Sequence, residues 1–177
     1  MAPVLKRFSL PVLPLASLLL GGCSLFAPAP PPIARPVLSS HAMVAAIRAA
    51  GDREQSVIDV TPLRDPGVAA LDDAARRDEQ TGRYAAAATK LDQALERSPD
   101  SPDLLQDRAE VAIWLRDFTT ADKLAHQSWS LGPKLGPLCA RNWQTVVELR
   151  LRAGDEKAAA MARQWVQQCH KAGIARY

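Results

Sequence analysis

The chain has 177 residues, and its 22 Lys and Arg stand against 19 Asp and Glu, a formal net charge of +3 with 5% aromatic residues. So small an excess of positive charge excludes a strong nucleic-acid patch or a trap for acidic substrates. An alanine-rich, arginine-rich, aromatic-poor chain of this length predicts one all-α domain of closely packed helices with its own core.

The first element is a leader. Lys6 and Arg7 precede an apolar stretch from Phe8 to Leu20 that Pro11 and Pro14 interrupt, too short and broken for a membrane-spanning helix. The stretch Leu20-Gly21-Gly22-Cys23 resembles the bacterial lipobox, in which an aliphatic residue and two small ones precede a cysteine that is diacylated and becomes the mature N-terminus. The resemblance implies that residues 1–22 are a lipoprotein signal peptide and that Cys23 carries the lipid. Ser24 follows the cysteine where inner-membrane retention would favour Asp, which implies export to the outer membrane, facing the periplasm. Without Lys6 and Arg7 the formal charge falls to about +1.

Residues 23–38 then form a proline-rich tether, since the run from Ala27 to Pro36 carries neither a regular helix nor a central strand. Residues 39–66 predict a short helix and an extended linker. Ser39 or Ser40 is the N-cap, Met43, Val44 and Ile47 the apolar stripe, and Gly51 the stop. "QSVIDVTPLRDPG" (55–67) alternates and holds two prolines, as a linker or edge strand does. This region either caps the open face of the first following unit or lies in the groove as an occupant that a partner displaces.

From Leu71 a pattern recurs at a fixed offset. Leu71, Ala75, Tyr84, Ala87, Ala94 and Pro99 are answered by Leu105, Ala109, Phe118, Ala121, Ser128 and Pro133, each 34 residues on. Trp143, Val147, Gly154, Ala159 and Val166 repeat the pattern a third time after a four-residue insertion near "GPKLGPLC" (132–139), with Glu156 where the aromatic stood and Arg163 in place of a core residue. The period, with small residues where two helices approach and a proline closing each second helix, resembles the tetratricopeptide repeat. It implies an α-solenoid of three helix-turn-helix units over 67–173, with helices at about 67–81, 84–97, 102–115, 118–130, 140–153 and 155–171.

Cys139 and Cys169 fall at the start of the first helix and the end of the second in the third unit, places that an antiparallel pair brings side by side. In an oxidising periplasm they predict a disulfide. A zinc site with His170 lacks a clear fourth ligand, and two free thiols are the remaining alternative.

Catalytic motifs are missing: no glycine-rich phosphate loop, no Gly-x-Ser-x-Gly elbow and no His-Glu-x-x-His occur, and His41, His126 and His170 read as separate surface residues. The expectation is a protein that is not an enzyme, with no cofactor, metal, nucleic acid or small-molecule substrate.

By the repeat resemblance, the first helix of each unit lines a concave, protein-binding groove. Its inward positions are Asp72, Arg76 and Glu79, then Gln106, Glu110, Ile113 and Trp114, and last Gln144, Glu148 and Arg152. An aromatic and an aliphatic side chain ringed by amides and charges suit an extended or helical peptide, with Trp114 either its anchor or core. The Lys and Asn clamp with which some repeat proteins hold a C-terminal carboxylate is not evident. The resemblance implies a lipid-anchored adaptor binding a periplasmic or outer-membrane protein, as tetratricopeptide lipoproteins acting on peptidoglycan enzymes do. A pilotin-like assembly factor for a pilus or secretion system is the alternative.

Overall fold

The structure is a computed structural model that describes residues 38–54 and 64–170. The expected signal peptide, Cys23, the proline-rich tether and most of the linker lie outside these residues. Among the described residues seven helices and no strand occur: α1 Ser40–Arg53, α2 Pro66–Gln80, α3 Tyr84–Arg97, α4 Pro102–Trp114, α5 Phe118–Leu131, α6 Pro137–Arg152 and α7 Glu156–Gln168.

Each start has a local cause. Asp65 accepts from the backbone N–H groups of Gly67 and Val68 at 2.8 and 3.2 Å and so caps α2. Asp117 and Asp155 cap α5 and α7 through the N–H groups of Thr120 and Ala158. Pro66, Pro102 and Pro137 each stand at a helix start, where the missing N–H costs nothing. Pro137 therefore opens α6, three residues before the expected start at 140.

The hairpins α2/α3, α4/α5 and α6/α7 share one turn. Gly82, Arg116 and Gly154 take left-handed φ values of 72°, 62° and 77°. The N–H that follows each donates five residues back, Arg83 to Asp78, Asp117 to Ala112 and Asp155 to Arg150, at 2.8, 2.8 and 2.9 Å. This bond satisfies a carbonyl at the end of the first helix and reverses the chain.

Within the hairpins small residues meet: Ala75 and Ala87, and Ala109 and Ala121, are fully buried, and Val147 and Ala159 take the same places in the third. α3 packs on α4 and α5 on α6, which stacks the hairpins into a solenoid with α2, α4 and α6 on the inner face. In the third hairpin Cys139 and Cys169 are joined by a disulfide with Cα atoms 5.6 Å apart, and the Gly136 N–H donates to the Cys169 carbonyl at 2.8 Å.

Two expectations about residues 39–66 are corrected. Gly51 does not stop α1, which runs on to Arg53 with Gly51 buried in its last turn. A Cβ there would meet Arg141 Cγ at 2.8 Å, so glycine serves close approach to α6. Nor does α1 cap the first hairpin: it packs on α6 and α4. The physical reason is its stripe. Met43, Val44 and Ile47 bury themselves against Ile113, Ala112, Ala121 and Leu149, while Ala50 meets Cys139 and Ala140.

Candidate functional site

α1 occupies the part of the inner face formed by α4 and α6, and so decides which expected groove residues face solvent. Gln106, Glu110 and Ile113 are fully buried. Ile113 lies under Met43, Val44 and Ile47, so an apolar segment already fills the centre of the groove, and it belongs to this chain.

The charged positions form an alternating line across the inner face. Arg48 of α1 donates to Glu79 of α2 at 2.8 Å and to Glu110 of α4 at 2.7 Å. Arg141 of α6 reaches Glu110 and Asp107, each at 2.6 Å. Asp107 also accepts from Arg76 at 3.3 Å, and Arg76 from the next turn of α2 bonds Asp72 at 3.1 Å. Arg64 closes the line by pairing with both Asp72 and Asp103. Gln106 donates to Glu110 and to Thr145 at 3.0 and 2.9 Å, fixing the buried carboxylate between α4 and α6.

Burial works against the charge on Arg141, but Glu110 and Asp107 more than offset it and hold the guanidinium proton beyond its ordinary range. Glu79 behaves oppositely. Burial raises its carboxyl above the usual carboxylate range, and the bond to Arg48 only partly opposes the rise.

Between α1 and α2 the inner face stays open as a cleft of ≈ 540 Å³. Trp114 and Tyr84 stack there with centroids 4.7 Å apart, and the His41 ring stands 5.9 Å from Tyr84. Arg48 lies over Trp114 at 4.9 Å. Asp52, Arg76, Glu79, Gln80, Asp107 and Arg141 complete the lining. The Trp114 indole N–H is buried without an acceptor, although its ring lines the cleft.

Trp114 is thus part wall and part core, packed against both the α2–α3–α4 cluster and the α1–α4–α6 cluster. At the far side Gln144 donates to Glu148 at 2.7 Å, and Glu148 is buried with one oxygen unpaired and its carboxyl raised by that burial. Arg152 lies 4.0 Å over the Phe118 ring. Of the expected groove positions, then, Arg76, Glu79 and Trp114 line the open cleft, and Asp72 pairs with Arg76 behind it. Gln144, Glu148 and Arg152 stand apart from it.

His41, Arg48, Asp52, Gln80, Tyr84, Asp107 and Arg141 line the cleft without having been expected there. One sequence signal pointed to several. Arg48 and Glu79, Arg76 and Asp107, and Glu110 and Arg141 are opposite charges each 31 residues apart.

A second aromatic cluster joins α5, α6 and α7. Trp143 of α6 stacks on Trp165 of α7 at 5.2 Å, and Trp129 of α5 meets them edge-on. Trp165 is 42% exposed. Among the described residues no group of three or more His, Cys, Asp or Glu could hold a metal ion, and no helix is long and apolar enough to cross a membrane.

Neither a family model nor a curated protein sequence matches the chain. Among solved structures, the globular C-terminal domain of P. aeruginosa LpoP is similar, with a TM-score of 0.56 and 28% identity over 59% of this chain and 99% of that chain.

Proposed function

We propose that this protein is a lipid-anchored, periplasm-facing adaptor, held to the outer membrane through Cys23, whose helical domain binds a segment of an envelope protein. The partner class that the repeat resemblance implies is an enzyme of peptidoglycan. The observation that carries the reading is the cleft between α1 and α2: an aromatic wall and a polar, charged rim are the parts of a peptide-binding groove. Its supports are the lipobox-like run at Cys23 and the likeness to LpoP, which spans nearly the whole of a domain that is itself globular and C-terminal. The lining offers no nucleophile beside a base and no pair of carboxyls free of arginine, so the cleft is a place to bind. No observation favours the pilotin-like reading.

Affinity capture from detergent-solubilised envelope, with partners identified by mass spectrometry, tests the reading. Gln80→Trp should plug the rim and abolish capture while melting stays normal. Trp165→Ser should leave capture intact. Loss with Trp165→Ser and retention with Gln80→Trp would move the binding surface to the cluster of Trp129, Trp143 and Trp165.

A further inference from the structure

Acidic residues are spread unevenly along the chain. Of the 19 Asp and Glu, 16 precede Lys123, and none occurs in 123–147 or in 157–177, two segments that hold seven Lys and Arg. Arg141 is spent on Glu110 and Asp107 at the inner face, while Lys134, Lys157 and Arg163 are exposed.

Apolar surface collects in the same place. Met161 and Trp165, one turn apart on α7, are 57% and 42% exposed, and Lys157 stands one turn before them on the same face. Lys134 lies 4.4 Å over the Trp129 ring, which meets Trp165. Beside it Leu135 is exposed and precedes Gly136, whose N–H bonds the Cys169 carbonyl one turn beyond Trp165. The repeat does not call for these apolar side chains. In its register the places of Met161 and Trp165 fall on Thr89 and Gln93 in α3 and on Lys123 and Gln127 in α5, all polar and exposed.

We propose that this face of α7, Lys157, Met161 and Trp165 with Lys134 and Leu135 beside it, rests on an anionic phospholipid surface, that of the membrane to which Cys23 is proposed to anchor the chain. The inference rests on the anchor in the adaptor reading and adds a second contact, made by residues that do not line the cleft. An indole takes the boundary between acyl chains and headgroups, because its ring is apolar and its N–H is not. Lysine and arginine lay their stems along that boundary and bring their charge to the phosphates. A fluid surface needs no shape match, which suits scattered cations around two apolar side chains. It is also within reach. The 15 residues from Cys23 to Leu38 extend to about 45 Å, more than the roughly 24 Å length of α6, along which α1 runs toward the disulfide.

The test uses the full lipidated chain in vesicles, with Gln164→Cys carrying a nitrobenzoxadiazole label that brightens on leaving water. Cys139 and Cys169 are bridged, so the added thiol takes the label. In vesicles of phosphatidylethanolamine with phosphatidylglycerol the label should brighten and shift to the blue, and in phosphatidylcholine alone it should respond less. The same label at Gln93→Cys on α3 should remain as in buffer. Trp165→Ser or Met161→Glu should each remove most of the response at position 164, and Met161→Glu, at a largely exposed position, should leave the melting temperature unchanged. Lys157→Gln should lower the ratio of docked to free domain by about fivefold on the anionic vesicles alone, the factor expected of one basic side chain at such a surface.

A label at 164 that stays as in buffer on anchored chains overturns the proposal and leaves the anchor standing, as does a response indifferent to Met161→Glu. Brightening by solubilised envelope extract and not by vesicles also overturns it, and assigns the face to a protein partner. A chain recovered without lipid removes the anchor instead. Added to the same vesicles from solution, it reads the face alone, with brightening for the proposal and its absence against.

Discussion

Arg116 shows what a single residue costs. It holds φ at 62° in the turn where the other two hairpins place Gly82 and Gly154, and it is exposed with no role in the line of charges. A side chain in the left-handed region costs about 1–2 kcal/mol, and glycine returns part of that through the unfolded chain, so Arg116→Gly should stabilise the domain by about 0.5–1 kcal/mol in urea denaturation. Glu148 is the second case. Burial raises its carboxyl, so the folded state prefers the protonated form and the charge carried at pH 7 opposes folding. That cost is present above the folded pKa and disappears as pH falls through it. Glu148→Gln should therefore raise the melting temperature at pH 7, and the gain over wild type should shrink steadily toward pH 4.5. A constant gain across that range would trace the effect to packing.

At the scale of elements, the disulfide secures the hairpin with the poorest repeat match. It joins residues 30 apart, which by the chain-entropy model is worth about 3.5 kcal/mol. In the oxidised protein neither Cys139 nor Cys169 should alkylate without reductant, and reduction should lower the melting temperature. The helices were legible because packing dictates the spacing: a small residue must stand where each hairpin closes, as Ala75, Ala87, Ala109 and Ala121 do. The seat of α1 was not. Met43, Val44 and Ile47 reveal an apolar face, but a stripe does not say which of two apolar surfaces receives it. Gly51 misled for a related reason, since glycine ends helices and also admits close neighbours, and only the position of Arg141 separates the two. The cleft was half legible. Arg76 and Trp114 follow from the repeat register, while Arg48, His41 and Asp52 enter it only because α1 lies where it does.

For the whole molecule, the proposed anchor makes the simplest prediction. Cys23→Ser should leave an unprocessed precursor that takes up no labelled fatty acid, while the helical domain melts as in wild type. Labelling like wild type would remove the anchor, and with it the outer-membrane location, without touching the cleft.

The direction of α1 carries a mechanical consequence. Its first turns lie against Leu149 near the end of α6, and its last lie near Pro137 and the disulfide at the beginning. The polypeptide that precedes residue 38 joins α1 at its first turn. Tension applied through that segment would load the helix from one end and peel it turn by turn, Met43 and Val44 before Ile47, Arg48 before Ala50. Peeling yields at far lower force than sliding the same contacts all at once. Released as far as Arg48, α1 would uncover Ile113, strip Glu79 of its arginine while Glu110 keeps Arg141, and widen the cleft toward α6. If the chain is anchored through Cys23 and bound by a partner as proposed, the gap between membrane and partner would then act on the binding surface itself, with α1 as the part that gives first.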